Sequence, residues 1–265
     1  MYQEIDGKRI AEKIKDKIAA EIFSFDELRP NLAIILVGER EDSKIYVSLK
    51  ESEGKKVGID THIYRLEEET SERDLLDIIE FLNRDLLIDG ILVQLPLPKH
   101  INTDKIILAL DPKKDVDGFH PQHPDYILSP VLGSVKACLK EIKFEAKGRT
   151  ACVLYNSEIF GGGVKELLEK DGLKIIEKSK EADVLVTALG NPHKIKSDDI
   201  KQDAVVIDIG ITKVGEEVLG DVDFESVKDK AKYLTPVPGG IGPITVAFLF
   251  KNVLEIFKRH YKLGK

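Results

Sequence analysis

The chain has 265 residues, 42% of them hydrophobic and 33% charged, with a net charge of −7. That length supports one large domain or two ordinary ones, and the acidic balance argues against a general nucleic-acid coat, which needs a basic excess to neutralise phosphates. The two cysteines, Cys138 and Cys152, lack metal-ligand spacing, and the first residues lack an apolar leader core, so a cytoplasmic protein with reduced thiols, no metal and no membrane contact is expected.

Apolar residues recur at Ile10, Ile14, Ile18 and Ile22, which predicts an amphipathic first helix. Residues 32–37, ending in Gly38, read as a buried strand. Asp42 or Ser43 can cap a helix reaching about residue 56. Strands over 62–66 and 90–95 then flank a helix over 72–85. Between 111 and 130 the pattern dissolves into a proline-rich stretch, where a domain junction is expected. Alternation resumes with a helix over 135–144 and a strand over 150–155. The triplet Gly161-Gly162-Gly163 is expected to lead into a helix over 164–170. Strands over 173–177, 184–188 and 204–209 follow. From Pro236 to Pro243, six of eight residues are Gly or Pro. The prolines fix φ and remove donors, while the glycines let a flat group approach the main chain. This stiff loop opens onto a last helix over 244–261, with Pro243 suited to its first turn. The whole reads as α/β: two α/β domains with parallel sheets, 1–132 and 133–243, and a C-terminal helix within 244–265 that returns to the first.

Several residues could carry chemistry. Ser43, Tyr46 and Lys50 share one helix face, with Tyr46 and Lys50 one turn apart. A phenol beside an amine can polarise a heteroatom and move a proton; the plainer alternative is a solvated lysine beside a half-buried tyrosine. Gln94 ends a strand, where α/β sheets place ligand groups. Asp115-Val-Asp117-Gly118 makes either a turn or a carboxylate that accepts two parallel N–H bonds from a guanidine-like edge. Gly190 and Gly210 each follow an apolar strand, where a nucleotide can lie across the sheet, although no Gly-x-Gly-x-x-Gly is present.

Five segments together, Ser43-x-x-Tyr46-x-x-x-Lys50, Gly90-Ile-Leu-Val-Gln-Leu-Pro-Leu-Pro98, Lys114-Asp-Val-Asp-Gly118, Val206-Ile-Asp-Ile-Gly210 and the stretch from Thr235 to Thr245, span nearly the whole chain. In this order they closely resemble the bifunctional methylenetetrahydrofolate dehydrogenase–methenyltetrahydrofolate cyclohydrolases (FolD). The resemblance implies a Rossmann-like second domain, a catalytic cleft between the domains and a homodimer. It implies two consecutive reactions of one-carbon metabolism, which serves purine and amino-acid biosynthesis: NADP-dependent oxidation of 5,10-methylene- to 5,10-methenyltetrahydrofolate, then hydrolysis to 10-formyltetrahydrofolate. It makes Lys50 the cyclohydrolase base, Tyr46 its neighbour at the folate, Gln94 its hydrogen-bond partner and Asp117 the ionised grip on the pterin. Ser43, Pro238, Gly239 and Gly240 fall at the substrate. Tyr155, Asn156, Ser157, Ser179, Lys180, Gly190, Ile211 and Thr245 fall at the cofactor.

The chemistry sets its own requirements. Oxidation needs alignment of the methylene carbon, because a neighbouring nitrogen lone pair stabilises the cation left behind. Hydrolysis needs a base, so burial should lower the pKa of Lys50. The family's usual Gly-Arg-Ser appears here as Tyr155-Asn156-Ser157, without the arginine associated with the adenosine 2′-phosphate. NADP is expected, NAD is the alternative, and Lys178 and Lys180 are candidates to replace the missing charge. Short-chain dehydrogenases also use Tyr-x-x-x-Lys, but their nucleotide-binding glycines precede it. A folate or nucleotide binder that has lost turnover is a second rival, opposed by the intact Lys50, Gln94 and Asp117.

Overall fold

The structure is a computed structural model that describes residues 2–263. In chain order, strand β1 (Gln3–Glu4), helix α1 (Gly7–Phe23), β2 (Asn31–Val37), α2 (Glu41–Val57), β3 (Asp60–Leu66), α3 (Glu72–Arg84), β4 (Gly90–Val93) and α4 (Thr103–Ala109) precede the irregular stretch. Helix α5 (Pro130–Glu141), β5 (Thr150–Tyr155), α6 (Glu158–Lys170), β6 (Lys174–Ile175), β7 (Val184–Ala188) and β8 (Val205–Asp208) come next. The chain closes with β9 (Thr212–Val214), β10 (Glu217–Leu219), α7 (Phe224–Val227), β11 (Tyr233–Leu234) and α8 (Ile241–His260). It divides into two compact units: residues 13–129 with 246–265, and the residues before 13 with 130–245.

The first of these units is built on a three-stranded parallel sheet in the order β3-β2-β4. Strand β2 is a continuous apolar run because helices cover both of its faces. Side chains alternate across it. Leu32, Ile34 and Leu36 meet Ile18 and Ile22 of α1, Val47 of α2, and Phe250, Val253 and Phe257 of α8. Ala33, Ile35 and Val37 meet Leu75, Ile79 and Leu82 of α3 and Ile106 of α4. The buried Asn252 of α8 donates from its amide nitrogen to the carbonyls of Val116 and Leu128, each at 2.8 Å, and so fixes both ends of the irregular stretch. Helix α2 starts two to three residues earlier than expected, with Arg40 at its N-cap and no side-chain cap bond; the side chain of Asp42, an expected cap, lies outside the described residues. Gly264 and Lys265, at the end of the expected C-terminal helix, also lie outside them.

The other unit carries a six-stranded parallel sheet in the order β1-β11-β8-β7-β5-β6. The first residues belong here, rather than with residues 13–129, because β1 pairs with β11. From β5 the chain steps to β6 on one side and then to β7 on the other. The carboxyl ends of β5 and β7 therefore flank the topological switch point, where open α/β sheets bind ligands. Gly161, Gly162 and Gly163 sit inside α6 instead of before it. The ring of Tyr155 explains the first of them: a Cβ on Gly161 would overlap it. Strands β9 and β10 form an antiparallel hairpin that the sequence pattern did not reveal. Among the described residues no helix is long and apolar enough to cross a membrane, and no group of three or more His, Cys, Asp or Glu could hold a metal ion.

Candidate active site

Helix α2 presents Ser43, Tyr46 and Lys50 on one face; Ser43 is buried, and the other two are half-buried. Gln94 follows β4 and extends its ladder by one bond, its N–H donating to the Ile35 carbonyl at 2.9 Å. Lys50 Nζ donates to Gln94 Oε1 at 2.8 Å, and Gln94 Nε2 donates to the Leu95 carbonyl at 2.7 Å. The second bond fixes which end of the amide faces the lysine. The Leu95-Pro96 peptide that follows is cis.

Residues 114–116 run beside β4: the Ile91 N–H donates to Lys114, and Val116 donates back to Ile91. Beyond them, the buried carboxylate of Asp115 gathers the turn. Its Oδ1 accepts the N–H groups of Asp117 and Gly118, both at 3.1 Å, and its Oδ2 accepts that of His120 at 2.7 Å. Gly118 has φ +64, the left-handed region that glycine enters without strain. Sequence reasoning read Asp115 only as one member of a turn, not as the residue that gathers it. A short acid accepting the N–H two residues on is a recognisable turn signal that could have revealed it.

Electrostatics then couple the helix to the turn. Burial lowers the pKa of Lys50, and the charge of Asp117 opposes that shift. Burial pushes Asp117 up to about 7; Lys50 pulls it down and Asp115 pushes it further up. Both side chains keep some contact with solvent, yet protein atoms surround them closely enough to disfavour charge. The expectation for Lys50 agrees with this environment. The expectation of an ionised Asp117 concerns the pterin-bound site; in the protein by itself burial pushes the carboxyl up to about 7.

The remaining candidates lie in the other unit. Tyr155, Asn156 and Ser157 follow β5, and Gly190 follows β7, so these four border the switch point. Asn156 bridges it by donating from Nδ2 to the Leu189 carbonyl at 2.6 Å. Ser157 is the N-cap residue of α6, but its side chain makes no cap bond. The Tyr155 hydroxyl donates to Glu158 at 3.0 Å and accepts from Lys165 at 3.1 Å. Gly190 has φ +62, and a Cβ there would meet nothing closer than Asn156 at 3.7 Å. Ser179 and Lys180 form a short 3-10 turn after β6, and Lys178 is paired with Glu181 at 3.0 Å. Ile211 is 41% exposed just past β8. Thr245 spends its hydroxyl hydrogen on the Gly242 carbonyl at 2.6 Å.

Pro238, Gly239 and Gly240 form the turn before α8, with a cis Val237-Pro238 peptide and Gly239 at φ +107. The turn packs on the start of α1 so closely that a Cβ on Gly7 would overlap the Gly240 carbonyl. The structure thus gathers Ser43, Tyr46, Lys50, Gln94 and Asp117 in one unit and the dinucleotide candidates with Pro238, Gly239 and Gly240 in the other.

Comparison with known proteins gives a consistent result. Residues 5–117 match the family described as tetrahydrofolate dehydrogenase/cyclohydrolase, catalytic domain, and residues 131–261 match its NAD(P)-binding domain. The bifunctional protein FolD of Nitratiruptor sp. is 41% identical, covering 97% of this chain and 98% of that protein. That of Geotalea daltonii is 43% identical, covering 98% and 100%. Among solved structures, the Campylobacter jejuni FolD methylenetetrahydrofolate dehydrogenase/cyclohydrolase superposes with a TM-score of 0.93 at 33% identity, covering 98% of this chain and 99% of that one. The Trypanosoma brucei enzyme, complexed with NADP cofactor and inhibitor, gives 0.93 at 30% identity over the same shares.

Proposed function

The chain belongs to the tetrahydrofolate dehydrogenase/cyclohydrolase family, and from that premise we propose that it oxidises 5,10-methylenetetrahydrofolate with NADP and hydrolyses the product to 10-formyltetrahydrofolate. One observation carries the reading: Lys50, with its pKa lowered by burial, is held at 2.8 Å by an oriented Gln94 and senses the charge of Asp117.

Hydrolysis requires water to lose a proton as it attacks the methenyl carbon. A neutral Lys50 amine that donates one N–H to Gln94 keeps its lone pair for that proton. Gln94 sets the direction of the lone pair, and the resulting ammonium can return the proton to the departing ring nitrogen. Tyr46, one turn before Lys50, supplies a phenol at the same face. Asp117 accepts adjacent N–H donors of the pterin, and those donors favour its ionised form. Binding of the pterin therefore favours the anion of an acid whose pKa burial raises.

The switch point fits a dinucleotide. Gly190 leaves its Cβ position open, and Ser157 at the start of α6 has a side-chain oxygen not committed to capping. NADP supplies the acceptor for the hydride. Tyr155, Asn156 and Ser157 would hold it from the β5 side, Gly190 and Ile211 from the ends of β7 and β8, with Thr245 and the turn residues Ser179 and Lys180 beside them. Pro238, Gly239 and Gly240 offer main chain to the flat substrate. The family's usual homodimeric assembly, a cytoplasmic location and supply of one-carbon units to purine and amino-acid synthesis complete the proposal.

The deciding experiment is a spectrophotometric assay of methylenetetrahydrofolate oxidation with NADP and with NAD, alongside methenyltetrahydrofolate hydrolysis. Both activities, with NADP preferred, are expected. Binding without turnover would overturn the proposal.

A further inference from the structure

Two buried carboxylates in the nucleotide-side unit take no part in the chemistry above. Asp208 ends β8 and is 2% exposed; Asp221 lies beyond the β9–β10 hairpin and is 1% exposed. Neither has a lysine, arginine or histidine partner among the described ion pairs, and main-chain donors surround them instead. Asp221 accepts the Thr187 hydroxyl at 2.9 Å, the Leu189 N–H at 2.6 Å and the Asn191 N–H at 2.8 Å. Asp208 accepts the N–H groups of Gly210 and Val222, both at 2.9 Å, and that of Asp221 as well. The backbone N–H of Asp208 in turn donates to the Thr235 hydroxyl at 2.8 Å.

The bonds tie three segments that are far apart in sequence: 187–191 after β7, 208–210 after β8, and 220–222. The fit is tight, since a Cβ on Gly210 would overlap the Asp221 carboxylate and one on Gly220 would overlap that of Asp208. Burying two acids side by side is costly: burial pushes Asp208 up to about 7, with the bonds from Val222 and Gly210 pulling it down and the charge of Asp221 pushing it up. A plain turn could be closed by neutral side chains at lower cost. What the acids provide is fixed direction for the N–H groups on either side of Gly190 and for that of Gly210, immediately before Ile211.

We propose that Asp221, locked to Asp208, is a positioning residue for the dinucleotide: it fixes the backbone of residues 189–191, and through Asp208 that of residues 209–211, in the shape on which the cofactor lies. This rests on the assignment of Gly190 and Ile211 to the cofactor. Both acids are buried, so each acts through the backbone it holds.

The test separates the two activities. In Asp221→Asn, one of the donors at 189, 191 or the Thr187 hydroxyl faces an amide NH2 instead of an oxygen. Calorimetric titration of NADP into the folate-free protein should show binding weakened by about 30-fold. The KM for NADP should rise in step while kcat of the dehydrogenase stays within about 3-fold, the pattern of lost binding rather than lost chemistry. Hydrolysis of methenyltetrahydrofolate without nucleotide should stay within about 2-fold of wild type. Thr187→Val removes one donor with little change of volume and should weaken NADP about 5-fold with the same split, which keeps the test alive if Asp221→Asn does not fold. Unchanged NADP affinity in the folded variants, or parallel loss of both activities, would overturn the role. Wild-type protein that hydrolyses but does not bind NADP would remove the dinucleotide reading itself.

Discussion

Each unit contains a pair of close aspartates, Asp115 with Asp117 and Asp208 with Asp221, and the contrast between them separates a group built to read a ligand from one built to hold a loop. In both pairs burial and the neighbouring acid push one member up to about 7. In both, a partner more than 95% buried gathers backbone N–H groups. The difference lies in what the shifted acid has left to offer. Asp208 accepts from Gly210, Val222 and Asp221, so its oxygens are consumed within the protein. Asp117 is half-buried and electrostatically coupled to Lys50, while its own backbone N–H is the group held by Asp115. A shifted pKa alone therefore does not mark a site. A shifted acid with unspent acceptor capacity beside an amine whose pKa burial lowers does.

The sharpest way to break this contrast is to remove the amine. Lys50→Met should lower hydrolysis of methenyltetrahydrofolate by about 1,000-fold, within the span of general-base catalysis, and leave the dehydrogenase within about 10-fold. Retained hydrolysis in a folded variant would strip Lys50 of its role. Asp117→Asn comes next, with the KM for folate rising by about 100-fold and a gain in melting temperature at pH 8 of about 3 °C. The sign follows from linkage: the folded pKa lies above the unfolded value, so this carboxyl costs stability as pH rises from about 4 to about 7, and the amide abolishes that loss. Calorimetric melts across pH read it directly.

Asp115→Asn sharpens the contrast more gently. Wild-type folate affinity should rise with pH through about 7 as Asp117 ionises. Removing the neighbouring charge should move that midpoint to lower pH, while the loosened turn raises the folate KM about 10-fold. A midpoint that stays in place would show that Asp115 acts by geometry alone. The smallest effect belongs to the double change Lys178→Ala and Lys180→Ala. These exposed lysines, one already paired with Glu181, should contribute about 3-fold to NADP affinity and nothing to NAD. Equal weakening of both dinucleotides would exclude a role at the 2′-phosphate.

Much of the site was legible because its signals are local. Tyr46 and Lys50 declare themselves by helical spacing, Gln94 by its place at the end of an apolar strand, and the Pro/Gly loop by composition. What escaped depends on contacts distant in sequence or on side chains that override local preference. Asp208 and Asp221 meet across a hairpin that no strong apolar pattern announces. The glycines at 161–163 looked like a loop, but α6 takes them in, and the first must lack a Cβ because the Tyr155 ring lies against it. The raised pKa of Asp117 escaped because the spacing shows its type but not how many protein atoms surround it. Helix α2 lacks the expected side-chain cap; Ser43 lies inside it on the buried face instead.

Asn252 bears on how this polypeptide could be dissected or fused. The amide that clasps Val116 and Leu128 comes from the far end of the chain, some 120 residues after the loop it supports. A fragment ending at residue 129 would carry Lys50, Gln94 and Asp117 but leave two interior carbonyls orphaned and Leu32, Ile34 and Leu36 without the part of their cover that Phe250, Val253 and Phe257 supply. Gene-splitting at the apparent linker is thus the wrong cut; a circular permutant that joins the last helix directly to the first half is the one to build.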